Sequence, residues 1–308
     1  MGWKADTALS GVRWASSLES SLGGGCKIMA RSSKRKPHLG VDRAGKPKTE
    51  IGSLRRGPMT VHERTGLDRF DGLYLWMIIP MAVMQIGIFP DYWGDLTDNA
   101  WAVHIHYWTA TLWYLFLITQ PYYAQRRQFE RHRTNGIIGF FLAGGVALTA
   151  LSALHRDIAN AELSARIRDQ FGPFEPWFFY GIAAVEIVMM SAFIFAVIQA
   201  IRHRRSLPDH AWWLISTVFI IMMPSLGRGM GVLWGFIFGN DDPAVVTYPL
   251  YLTTAIILAL LLWAANRYGR LNHPATLLAL GANLFNLFFE PLGKWEWLQV
   301  TLRSMIKG

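Results

Sequence analysis

From residue 70 onward, long apolar runs alternate with short polar breaks. A helix crossing a hydrocarbon core of about 30 Å needs roughly 20 mainly apolar residues. Seven runs approach or reach that length: Leu73–Phe89, Trp101–Tyr122, Asn135–Leu154, Trp177–Ile201, Trp212–Phe238, Tyr248–Ala265 and Pro274–Phe289. The pattern predicts an all-α fold, a polytopic bundle of about seven transmembrane helices over residues 70–291. The stretch His155–Pro176 reads as a loop. Residues 292–308 interleave Trp, Leu, Val and Ile with Glu296, Arg303 and Lys307, too short and too charged to span. They read as an interfacial helix.

Charge orients the bundle. Arg126, Arg127, Arg131 and Arg133 fill one break, Arg202, Arg204 and Arg205 a second, and Arg267 and Arg270 a third. The intervening breaks hold most of the loop acids. Because Lys/Arg-rich loops stay inside, the N-terminus is expected inside and the C-terminus outside. A bacterial inner membrane is the expected location and the lipid bilayer the first partner.

Composition agrees: 17% of residues are charged, against about a quarter in soluble domains. Residues 1–60 hold 12 of the 30 Lys/Arg but 4 of the 21 Asp/Glu, so most of the +9 surplus lies there. Rich also in Ser, Gly and Pro, they read as a disordered basic cytoplasmic tail without the apolar core of a signal peptide. The tail does not interleave aromatic and basic residues, so nucleic acid is not an expected partner. Cys26 is the sole cysteine, which excludes an intramolecular disulfide and a Cys-rich metal site. No phosphate-binding glycine loop, nucleophile elbow, zinc-protease motif or dinucleotide fingerprint is present. No catalytic residue or metal site is therefore named, and whether the chain is an enzyme stays open.

The sharpest chemical signal is a pair of charges inside the apolar runs, Glu186 in the fourth and Arg228 in the fifth. A charge at mid-membrane costs about 2.5 kcal/mol or more. Both residues lie 21 positions from Leu207, where the hairpin turns. Equal spacing from the turn of an antiparallel hairpin means equal depth, so an ion pair is expected. Pro224, one turn before Arg228, should kink the helix. Gly227, Gly231, Gly235 and Gly239 repeat every four residues, a stripe that lets another helix approach closely. Gln85, Asn283 and Asn286 are candidates for hydrogen bonds between helices.

Nine histidines raise the possibility of b-type haem, which needs two axial His at one depth on facing helices. His106 is the best-buried candidate. His132 and His155 are separated by 23 residues, about 35 Å of helix, so they belong to opposite surfaces, and His210 borders a basic loop. The alternative to a ligand is a hydrogen-bonding role for each.

Several of these residues carry a resemblance. His106, Gln120, His132-Arg133 and Gly136, followed by Asp209-His210-Ala211-Trp212-Trp213 and then Arg228, resemble an uncharacterised family of predicted bacterial multi-helix membrane proteins. The resemblance covers roughly residues 101–231 and departs from the family pattern at Ala211-Trp212, where a basic pair is usual. It implies the fold, a membrane location and interest in His106, His132, His210 and Arg228, but no reaction. The leading expectation is a binding or transport module with an outward-opening polar pocket around Glu186 and Arg228. The alternatives are a membrane redox subunit carrying haem and a structural membrane component.

Overall fold

The computed structural model describes residues 70–306 apart from 95, 100 and 240–242. The basic tail and Cys26 lie outside the described residues. The described residues are helical, with no strand: α1 (Leu73–Trp76), α2 (Ile78–Ile88), α3 (Trp101–Gln125), α4 (Phe129–Arg166), α5 (Pro176–Arg202), α6 (Leu207–Ile220), α7 (Met223–Phe238), α8 (Tyr248–Arg267), α9 (Pro274–Phe285), α10 (Phe289–Gly293) and α11 (Glu296–Ile306). Helices α5 to α9 each carry proline in the first turn, where the missing N–H has no intrahelical partner to lose.

All seven apolar runs are helical. Five segments are long and apolar enough to cross a membrane: α4, α5, the α6–α7 unit, Ala244–Arg267 and Pro274–Gly293. These make the chain a multi-pass integral membrane protein. The α1–α2 stretch, Leu73–Ile88, is shorter. Helix α3 has 25 residues but is diluted by His, Thr, Tyr and Gln. The seven-span count is thus a finer reading than the five.

Helix α4 departs from expectation. It runs 38 residues and ends at Arg166, so the first half of the expected loop His155–Pro176 is helix. The sequence from Arg156 to Arg166 contains no Gly or Pro and is rich in Ala, Leu, Glu and Arg, good helix formers. Asp157, Ile158, Ala161 and Ser164 are buried along it, a helical spacing that puts them on one face. Ile158 and Ala161 pack with Tyr180 and Ala183 of α5 and Leu302 of α11. Arg303 Nε of α11 donates to Glu162 Oε1 at 2.8 Å, and the Tyr180 hydroxyl donates to the same carboxylate.

Between α6 and α7 the helix breaks at Ile221–Met222, two residues before Pro224. Pro224 has no N–H for the Ile220 carbonyl, and the expected kink is a complete interruption. The break also frees the Val218 and Phe219 carbonyls. Neighbouring helices satisfy both: the Tyr114 hydroxyl donates to Val218 O at 3.0 Å, and Asn283 Nδ2 to Phe219 O at 3.1 Å. Broken helices survive in lipid where neighbouring side chains take up the freed groups in this way.

Beyond the break α7 packs mainly against α2 and α8. At the α2–α7 crossing the backbones touch. A Cβ on Gly87 would stand 2.6 Å from Ser225 O, and one on Gly229 would stand 2.7 Å from Gly87 Cα. The close approach therefore uses Gly229 rather than the expected stripe. Of that stripe, Gly227 sits against Leu250, with 3.0 Å left for a Cβ, and Gly231 faces open space.

At the α6 N-terminus, Ser206 Oγ donates to Asp209 Oδ2 at 2.7 Å and Arg270 Nη1 to Asp209 Oδ1 at 3.1 Å. His273 caps α9, its Nδ1 accepting from Ala275 N. That bond places its ring proton on Nε2, 3.4 Å from Asp209 Oδ1. Partial burial and the adjacent Arg270 guanidinium hold His273 below the ordinary imidazole range, against the opposing pull of Asp209. Asp209 thus ties the start of α6 to the α8–α9 turn.

Candidate functional site

Glu186 and Arg228 occupy one polar cluster without closing on each other. Glu186 is a half-buried residue of α5, and its Oε2 is shielded from solvent without a hydrogen-bond partner. The charges of Asp157, Arg156 and Arg228 act on it together, but no ion pair between Glu186 and Arg228 occurs among the described residues. Arg228 instead donates to the Tyr107 hydroxyl of α3, its guanidinium carbon 5.9 Å from the centre of that ring. The break at Ile221–Met222 explains the geometry. Beyond it α7 departs from its hairpin partner α5 to pack on α2 and α8.

Helix α4 supplies the other charges. Arg156 Nε and Nη2 donate to Asp157 Oδ1 at 3.2 and 3.1 Å, and the Asp157 side chain is only 9% exposed. His106 of α3 lies within the same field, with Arg228 and Arg156 as its charged neighbours. Its Nδ1 is 3.1 Å from Thr149 Oγ1 of α4. Around Tyr107 an aromatic group closes the cluster: Tyr92 stacks on it with centroids 4.4 Å apart, and the Tyr92 hydroxyl is 2.9 Å from His104 Nδ1.

Four helices thus converge: α3 with His106 and Tyr107, α4 with Thr149, Arg156 and Asp157, α5 with Glu186, α7 with Arg228. The arrangement can offer a solute both signs of charge and a carboxylate oxygen with spare accepting capacity. Of the residues expected from sequence, His106, Glu186 and Arg228 are brought together, with Pro224 and Gly227 supporting the helix that carries Arg228. His155 is exposed at the surface of α4 and does not join them. Arg156 and Asp157 escaped the sequence reading because it ended the third helix at Leu154. The unbroken helix-forming stretch beyond was the available signal.

The other polar candidates join helices. Gln85 Oε1 accepts from Trp93 Nε1 at 2.7 Å and its Nε2 donates to Thr111 Oγ1 at 3.0 Å. Asn286 Nδ2 donates to Thr254 Oγ1 at 2.6 Å.

At the other end of α4, His132 meets His210 of α6, ring centroids 6.3 Å apart. His132 lies 17 residues from Thr149, about 25 Å along the helix, so this pair is separate from the charged cluster. The two rings border a cavity of about 50 Å³, far below the roughly 300 Å³ at which small-molecule pockets begin. The space does not fit a haem.

No family model matches the chain, and no curated protein or solved structure matches it either.

Proposed function

We propose that this protein is a binding or transport module whose site is the intramembrane cluster of Glu186, Arg228, Arg156, Asp157 and His106. One observation carries the reading: a carboxylate oxygen of Glu186 is closed off from solvent and left without a partner amid charges of both signs. An unsatisfied buried polar group is costly, and a polar solute or proton that completes its bonding would relieve that cost. Ionisable groups at membrane depth most often mark solute or proton pathways. The chemistry fits a small solute with a cationic or hydrogen-bond-donating end for Glu186 and an acceptor for Arg228, such as an amino acid or amine. Kinship with the uncharacterised family named above, on the motif around His132, His210 and Arg228, and a bacterial inner-membrane location belong to the same proposal.

The test is thermal stability of the purified full-length protein against a panel of amines, amino acids and carboxylates. At least one compound is expected to raise the midpoint by several degrees in the wild type and not in Glu186→Gln. A panel without effect on the wild type, or an equal response in the variant, overturns the reading.

The proposed topology has seven spans, the N-terminus inside and the C-terminus outside. Single cysteines at the exposed positions Arg127, Asp169, Arg204 and Leu271, in a Cys26→Ser background, should divide by side, Asp169 outside and the other three inside. Asp169 is expected to react with an impermeant maleimide in intact cells. Reaction of Arg127 or Arg204 sites under those conditions would rule the topology out.

A further inference from the structure

We propose that His132 and His210 bind a single first-row transition-metal ion in the cavity at the inner end of α4 and α6, a site independent of the charged cluster. Three observations support it. First, each ring has a nitrogen open to a ligand, and in His210 a backbone carbonyl fixes the tautomer. His210 Nδ1 lies 2.8 Å from Ala200 O, so the proton sits on Nδ1 and Nε2 presents a lone pair. The Nδ1 of His132 is buried without a partner, so this nitrogen is open to a ligand on the cavity side. A ring N–H held by a carbonyl, with the other nitrogen free, is the arrangement that orients metal-ligating histidines. Second, the rings stand 6.3 Å apart, centroid to centroid, at 80° to each other. Two imidazoles bound at about 2.0–2.1 Å per metal–nitrogen bond place their centroids roughly 6 Å apart when nearly opposed. Third, Gln120, 4% exposed, has its Nε2 buried without an acceptor. It borders the same cavity and can donate to a water on the ion.

The rest of the lining is mostly apolar, including Leu117, Leu214 and Ile215. A cavity of about 50 Å³ accommodates an ion with one or two waters, since a water requires roughly 10–15 Å³ on this measure. Two neutral nitrogens without a carboxylate favour zinc, copper, iron or nickel over the oxygen-seeking magnesium and calcium.

Zn²⁺ and Co²⁺ are the probes, added to chelator-treated full-length protein in detergent and followed by metal content after desalting. One equivalent should be retained by the wild type, with a thermal midpoint raised by the ion. Affinity should fall by more than about tenfold in His132→Gln and in His210→Gln, and be unchanged in His203→Ala. Should His210→Gln fail to elute as folded protein, His132→Gln alone decides. No retained ion in the wild type, or an equivalent that survives loss of His132, overturns the proposal.

Discussion

Gly293→Val is expected to leave almost no folded protein. Gly293 ends α10 against α5, and a Cβ there would collide with the Trp177 carbonyl and stand 3.0 Å from Gly181 N. Gly181, facing it, has the Phe289 carbonyl in the corresponding place. The obstructing atoms are backbone on both sides, so no side chain can swing aside. Overpacking a core normally costs about 1–3 kcal/mol; here two helices must separate, and the cost should exceed that range. Even Gly293→Ala should lower yield and midpoint sharply. Gly231→Ala is the control, because a Cβ at Gly231 meets nothing within 4 Å and alanine favours the helix. The measure is the fraction eluting as monodisperse protein together with its thermal midpoint. A Gly293→Val midpoint within about 2 °C of wild type, a shift equivalent to about 1 kcal/mol for a chain of this size, would contradict the packing described.

The second large effect concerns the charged cluster. Arg228→Gln removes the donor to Tyr107 and the cation that faces Glu186 across the cluster. Hydrogen bonds to charged groups contribute about 1.5–3 kcal/mol, and this variant should lose an amount of that order. Glu186→Gln removes a buried carboxylate that the surrounding Asp157 opposes and the arginines favour, so it should cost less. The two residues interact through space rather than by direct contact. Their coupling in a double-mutant cycle should therefore be about 1 kcal/mol, at the low end of the range for networked residues and below the 3–5 kcal/mol typical of breaking a closed buried pair. Thermal midpoints of the wild type, both single variants and the double variant give the cycle. Strict additivity would show that Glu186 and Arg228 belong to no common site. If the double variant regains stability but gives no ligand response, the cluster is functional. If it regains both, the cluster is structural.

The seven helical segments were legible because run length and the bilayer's thickness bound each other. Asn135–Leu154 could be placed from its apolar residues alone. Its continuation to Arg166 could not, because Arg156, Asp157 and Glu162 look like loop charges until Ile158, Ala161 and Ser164 are seen to share a buried face. Glu186 and Arg228 were found by cost: a charge inside an apolar run announces itself. Their failure to touch was not legible, since equal spacing from a turn assumes two straight helices, and the interruption at Ile221–Met222 redirects one of them. The meeting of His132 with His210 was equally hidden. Periodicity says which face of a helix is buried but not which neighbour it faces.

The interruption in the α6–α7 unit also constrains how this protein can move. Pivoting α7 about Ile221–Met222 would pull the Val218 and Phe219 carbonyls away from Tyr114 and Asn283. Lipid offers such carbonyls no replacement donor, and each would cost several kcal/mol bare. A displacement of Arg228 by that route must therefore admit water to the joint as it opens. Movement and hydration become one event, and a dry bilayer interior acts as the latch.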